Sequence, residues 1–257
     1  MLTAIKQQKL LHSIKTYKKK YLDSGITELD ESGTRLLINS FLADVLGYKP
    51  IEEIKTEYMI KGTYADYVVQ VNNTRHFLVE VKALSFNLSD KHLRQTINYG
   101  ANEGIEYAML TNGRDFQFYK IIFDKPIEAR KLFDINLSTI TDLGQAVLLL
   151  QYLHRESIVK YSFTPLWNKC EAMDPLNIGG MLLSEQVLSQ VRKLIKHKYK
   201  EKCGDNEIRK AIELLFTEKI TVEEIRPFRM HRVKTAIKKE NQTIPTAEKP
   251  QAGMIPG

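Results

Sequence analysis

The chain has 257 residues, 43% hydrophobic and 27% charged, with a formal net charge of +7. That balance belongs to a globular protein with a sizeable core and excludes a disordered or fibrous chain. The basic excess favours anionic partners, nucleic acid first, while Cys170 and Cys203, far apart and without a C-x-x-C pair, indicate neither a disulfide framework nor a zinc site.

Residues 2–22 read as a basic amphipathic helix, with Ile5, Leu10, Leu11 and Ile14 at helical spacing beside Lys6, Lys9, Lys15, Lys18, Lys19 and Lys20. Those lysines form either a solvated face or a contact for a DNA backbone. No apolar run suits export or a bilayer, the longest being Ala146 to Leu150, so no membrane association and a cytoplasmic location are expected. After Gly25 a second amphipathic helix follows. Leu36, Leu37, Phe41, Leu42, Val45 and Leu46 form its apolar stripe and Gly47 closes it. Glu28, Asp30 and Glu31 lie in its first turn, where acids suit the helix dipole. If the helix packs across a sheet, Glu31 could instead reach a metal, and periodicity alone leaves both readings open.

A strand is expected at about 54–59, then a hairpin of residues 66–71 and 77–82 around Asn72-Asn73-Thr74-Arg75. Alternation places Phe77, Val79 and Val81 on one face and Leu78, Glu80 and Lys82 on the other. An acid and a base therefore share a face of a strand that is apolar on both sides. Charge in such a place calls for a partner, a metal or a chemical role. Asp66, opening the neighbouring strand, adds a second carboxylate. Two carboxylates with a backbone carbonyl, that of Val81, suit Mg²⁺, for which Mn²⁺ would substitute; Lys82 beside them would orient water or stabilise a charged transition state. The plainer alternative is a surface hairpin with an exposed Glu80–Lys82 ion pair.

Beyond it, Ser89 caps a helix running from Asp90 to about Asn102 and ending near Gly104. Leu93 and Ile97 share one face; Gln95 and Tyr99 share another, where they meet a phosphate or form ordinary packing with a polar fringe. A strand at 107–110, the turn Thr111-Asn112-Gly113-Arg114, a strand at 116–122 and a helix over 141–156 complete a mixed α/β domain with a central sheet and helices on its faces.

The series Asp30-Glu31-Ser32-Gly33-Thr34-Arg35, Val45-Leu46-Gly47-Tyr48, Ala65-Asp66-Tyr67, Val79-Glu80-Val81-Lys82, Gln95-x-x-x-Tyr99 and Leu110-Thr111-Asn112-Gly113 resembles the N-terminal nuclease domain of type I restriction enzyme R subunits. That domain is a branch of the PD-(D/E)XK superfamily with a Q-x-x-x-Y motif. The resemblance spans about residues 25–140, with the motifs in family order; Ala65 stands where the superfamily signature has proline. It implies that Asp66 and Glu80 bind Mg²⁺, that Lys82 assists the attacking water, that Glu31 is an auxiliary helix acid, and that Gln95 and Tyr99 lie near the DNA backbone. No G-x-x-x-x-G-K-[ST] loop occurs, so no ATP site and no motor are expected in this polypeptide.

Residues 1–160 thus form the nuclease-like domain, and 161–180, with Pro165, Pro175 and Gly179-Gly180, read as a linker. Residues 181–239 read as a basic helical module. Its first helix sets Val187, Leu188, Val191, Leu194 and Ile195 against a face with Lys193, Lys196 and Lys200, candidates for DNA contact; its second carries Ile208, Ile212, Leu215 and Phe216 inward, and Thr221 to Glu224 has capping-box spacing. Residues 240–257 read as a disordered tail. The sequence as a whole points to a Mg²⁺-dependent DNA endonuclease acting alone or with other protein subunits. The rival reading is a non-catalytic nucleic-acid-binding or assembly subunit on a nuclease fold.

Overall fold

The computed structural model describes residues 1–60 and 63–217, the side chains at 60, 63, 90 and 95 excepted. Two helices precede the sheet. Leu10, Ile14 and Tyr17, spaced by four and three, bury one stripe of α1 (Ala4–Tyr17), while Ile5 stays exposed one turn earlier. Asp30 caps α2 (Glu31–Ser40) through its carboxylate, which accepts the Gly33 N–H at 2.7 Å. Both helices run on into one wide π turn, Lys18–Leu22 and Phe41–Val45. Gly47 follows at φ +79, the left-handed conformation expected of a closing glycine. Leu36, expected in the apolar stripe of α2, is exposed: the buried arc of the helix is taken by Thr34, Leu37 and Ile38, and Leu36 falls outside it.

The sheet has six strands in sequence order: β1 (Ile54–Ile60), β2 (Thr63–Val71), β3 (Thr74–Val81), β4 (Tyr107–Thr111), β5 (Asp115–Ile122) and β6 (Glu128–Asn136). The turn between β2 and β3 is tighter than the expected four residues. Asn72 and Asn73 alone form it, with φ of 51° and 62°, the paired positive values that match hairpin twist. Between β3 and β4 the chain crosses through α3 (Asp90–Glu103), so these two strands run parallel while every other neighbouring pair is antiparallel. One face of the sheet carries Tyr67, Val69, Phe77, Val79, Val81, Phe116 and Phe118 into a core shared with α1 and α2. The other sets Val68, Leu78 and Leu110 against Leu93 and Tyr99 of α3.

β6 is absent from the sequence-based expectation. As an edge strand it buries only Phe133 and Ile135, and the charges of Glu128, Arg130, Lys131 and Asp134 mask its alternation. The helix expected over 141–156 is two, α4 (Leu143–Leu150) and α5 (Arg155–Tyr161). Residues 161–180 are likewise no open linker. Pro165 and Pro175 open helices, α6 (Thr164–Ala172) and α7 (Pro175–Leu182), in whose first turn a missing N–H costs nothing, and Phe163 and Leu166 are buried in the main core. The chain divides into two compact units, Met1–Ser184 and Glu185–Gly257.

In the second unit, α8 (Glu185–Tyr199) packs on α9 (Asp205–Thr217), with Leu188 and Ile208 buried and Arg192 paired with Asp205. Leu215 and Phe216, expected inward, are exposed. Among the described residues of α9 only Ile208 is buried, with Ile212 half-buried one turn on. The capping-box segment at 221–224 and the tail at 240–257 lie outside the described residues. No helix among the described residues is long and apolar enough to cross a membrane.

Gly100 sets how closely α3 approaches the sheet. A Cβ there would lie 2.6 Å from the Ile105 carbonyl oxygen and collide with Ile121 Cδ1. In a helix interior Gly→Ala ordinarily stabilises, by about 0.5–1 kcal/mol. At this site overpacking outweighs that gain: Gly100→Ala is expected to destabilise by about 1–3 kcal/mol in urea unfolding, and a stabilised variant would show that α3 has room to withdraw.

Candidate active site

Three acids are buried among the described residues, Glu53, Asp66 and Glu80. Glu53 has a structural explanation. Arg155 grips it through three bonds from Nε and Nη2, at 2.7–2.8 Å, and the Lys49 N–H adds a third donor at 3.0 Å. Burial pushes its pKa up, but these donors outweigh it and hold the carboxyl below its ordinary range. Asp66 and Glu80 behave in the opposite way.

The β2–β3 register pairs Tyr67 with Val79, so one step further along sets Asp66 opposite Glu80 on the same face. Asp66 Oδ2 accepts the Val81 N–H at 2.7 Å, which ties the two strands together just beyond their last paired residues, Tyr67 and Val79. Glu80 Oε1 accepts from Lys82 Nζ at 2.7 Å. The Leu84 N–H donates to the Leu29 carbonyl at 3.0 Å, drawing the start of α2 against the end of β3, and this leaves Glu31 3.5 Å from Lys82 Nζ. Glu31, Asp66, Glu80 and Lys82, expected together from sequence, are thus gathered at the carboxyl end of the parallel β3–β4 pair. Open sheets commonly bind ligands at that end.

The expected exposed alternative for the Glu80–Lys82 pair does not fit, since Glu80 is 5% exposed. Burial pushes the Asp66 carboxyl up despite the Val81 N–H and Arg35, and it pushes Glu80 up despite Lys82, with the charge of Asp66 adding to the rise. Burial pulls the Lys82 ammonium down, but Glu80, Glu31 and Asp66 outweigh it and raise it, so lysine stays charged. Among the described residues no group of three or more His, Cys, Asp or Glu side chains is arranged to hold a metal ion. Each buried acid faces a base instead.

One of those bases, Arg35, has no role in the sequence reading. Its Nη2 lies 2.7 Å from Asp66 Oδ1, and the Tyr67 hydroxyl donates to its carbonyl at 2.7 Å, fixing α2 over β2. The signal was present: Arg35 follows Glu31 by four residues and so shares its helix face. The Leu110-Thr111-Asn112-Gly113 run builds the support beneath. The Lys82 N–H donates to the Thr111 carbonyl at 2.8 Å, and buried Asn112 accepts from the Asp115 N–H at 2.7 Å and donates to the Phe86 carbonyl at 2.8 Å.

Two expected DNA contacts fare differently. Tyr99 is 3% exposed and packs among Leu93, Ile105 and Ile121, so it serves the core and presents no surface to a DNA backbone. Gln95 lies on α3, and its side chain is outside the described residues. In the second unit Lys193, Lys196 and Lys200 are exposed and, with His197, line an open concavity of about 390 Å³.

The buried acid pair lies within a recognisable family segment. Residues 30–135 match the model of the type I restriction enzyme R protein N terminus. The match falls inside the span of about 25–140 over which the motifs resemble that domain. It includes Glu31, Arg35, Asp66, Glu80 and Lys82 and excludes the lysines of α8. No curated protein and no solved structure gives a significant match.

The raised acids carry a sign that can be measured. A carboxyl whose folded pKa lies above its unfolded value binds its proton more tightly when folded; its favourable contribution is full below the unfolded value and is lost as pH rises through the folded one. Asp66→Asn removes that titration. Its melting temperature relative to wild type is therefore expected to climb as pH rises above about 4. A flat or falling difference would show that Arg35 and the Val81 N–H outweigh burial at Asp66.

Proposed function

We propose that the first unit is a metal-dependent DNA endonuclease of the restriction R-subunit type, with a PD-(D/E)XK-like site at Asp66, Glu80 and Lys82. The observation that carries this reading is the pair of buried carboxylates, facing one another across β2 and β3 with their charged forms disfavoured by burial, inside the matched segment. A purely structural acid is satisfied as Glu53 is. Acids left short of compensation fit a site that awaits a cation, and their oxygens are the hard donors that Mg²⁺ or Mn²⁺ prefers.

Asp66, Glu80 and the Val81 carbonyl would hold that ion, with Glu31 reaching from α2. In an extended strand the N–H and C=O of one residue point the same way, so the Val81 carbonyl faces the side on which its N–H meets Asp66. When bound, the cation supplies Lewis-acid charge to the phosphodiester. The chain's own residues do the rest. Lys82, kept charged by its three acids and held by Glu80, would offer its ammonium to the attacking water and to the charge added at phosphate. Glu80 orients that ammonium, and the bond from the Lys82 N–H to Thr111 fixes the strand that carries it. Gln95, on the crossover helix, is assigned to the DNA backbone in this reading.

Incubating the purified chain with plasmid and with single-stranded DNA, with and without Mg²⁺ or Mn²⁺, tests the reaction. Lys82→Ala leaves both carboxylates, so metal and DNA binding are expected to persist while cleavage falls by roughly a hundredfold, about 3 kcal/mol of barrier. Full cleavage by Lys82→Ala at unchanged circular dichroism would place the chemistry elsewhere. DNA binding without cleavage of any form under either metal would favour the rival reading, a non-catalytic binding or assembly subunit.

The basic face of α8 is assigned to phosphate binding. Charge reversal at Lys193, Lys196 and Lys200 is expected to weaken DNA binding and to flatten its dependence on salt, by about 0.9 in log–log slope for each phosphate no longer neutralised. An unchanged slope would return these lysines to a solvated face.

A further inference from the structure

Both oxygens of Asp66 are already engaged, Oδ2 by the Val81 N–H and Oδ1 by Arg35 Nη2, each at 2.7 Å. The first donor is neutral and part of the strand pairing. The second carries a full charge and competes with any cation for the same carboxylate. Glu31, Asp66 and Glu80 converge with Arg35 and Lys82, and Glu57 lies at the rim, 3.5 Å from Arg35. A divalent ion bound at Asp66 with Arg35 in place would set two cations against one carboxylate.

Arg35 is not built in as a permanent partner is. Arg155 spends Nε and Nη2 together on Glu53. Arg35 touches Asp66 through Nη2 alone, its Nε is buried without a hydrogen-bond partner among the described residues, and its Nη1 lies 3.5 Å from Glu57, an exposed residue able to keep the guanidinium when Asp66 lets go. We propose that Arg35 is an exchangeable counterion, holding the Asp66 carboxylate while no divalent cation is bound and giving it up when one binds. This makes Arg35 a positioning residue, and it rests on the reading that Asp66 is a cation ligand.

The test needs no cleavage. Mn²⁺ is titrated calorimetrically into the full chain without DNA, as wild type, Arg35→Met, Arg35→Lys and Asp66→Asn, and each is melted in chelator and in saturating Mn²⁺. Removing the competitor is expected to tighten Mn²⁺ binding by about tenfold in Arg35→Met, within the ordinary range of coupling between two ligands, and by less in Arg35→Lys, which keeps a charge. In chelator Arg35→Met should melt below wild type, and saturating Mn²⁺ should close the gap. If Arg35→Met is unfolded in chelator, its refolding by Mn²⁺ supports the exchange, and failure to refold counts against it. Equal or weaker Mn²⁺ binding by Arg35→Met, with the stability gap intact, makes Arg35 a fixed structural partner and overturns the proposal while leaving the cation reading standing. No binding by any of the four proteins removes the cation reading and this proposal together.

Discussion

Three carboxylates and two cationic side chains converge at one end of a sheet that is apolar on both faces, and much of the first unit is arranged to keep them there. Burying charge in such a place is costly unless partners are exact in position. The partners come from three separate parts of the chain: Glu31 and Arg35 from α2, Asp66 from β2, and Glu80 and Lys82 from the end of β3. No local segment could assemble them. The bond from the Val81 N–H to Asp66 is central, because it makes a side chain of one strand the pairing partner of the next and fixes both where the ladder ends.

The scaffold's details follow from that need. The parallel β3–β4 pair requires a crossover helix, and α3 with Gly100 provides one that lies close against the sheet. The loop after β4 must then turn back under the site. Asn112 does this as a backbone surrogate, bonding to Phe86, Arg114 and Asp115 with its own side-chain amide, while the Tyr17 hydroxyl donates to the Gly113 carbonyl at 2.8 Å from the opposite side. A motif that sequence alone marks as a hairpin turn is thereby also the floor of the charged cluster.

Much of this was legible because it rests on short-range rules. The period-two alternation of residues 77–82 put Glu80 and Lys82 on one face, and the structure sets the odd-numbered positions in one core and Leu78 in the other. What escaped depends on tertiary context. β6 hides because an edge strand need bury only two side chains. Pro165 and Pro175 misled because proline breaks a helix in its interior yet starts one at its first turn, and only the burial of Phe163 and Leu166 tells the two apart. Tyr99 looked like a surface contact because helical spacing shows which residues share a face but not which face meets the sheet. Arg35 was visible as a helix neighbour of Glu31; its partner Asp66 lies on a different element, beyond any periodicity.

Glu53 and Asp66 show how burial alone fails to identify function. Both are buried acids with an arginine at 2.7 Å, and ion pairing by itself would class them together. The difference lies in how completely each is compensated. Arg155 and the Lys49 N–H more than offset the desolvation of Glu53, so its charge stabilises the fold. At Asp66 the Val81 N–H, a single guanidinium nitrogen and the Lys82 charge fall short of the desolvation, and the charge of Glu31 raises the cost further, while Asp66 in turn raises Glu80 across the strand. Folding by itself gives no reason to keep two under-compensated acids face to face, since hydrophobic residues of similar size would fill the space at lower cost. Their presence beside a charged lysine, in the segment that matches a restriction enzyme domain, is what the proposed cation would account for.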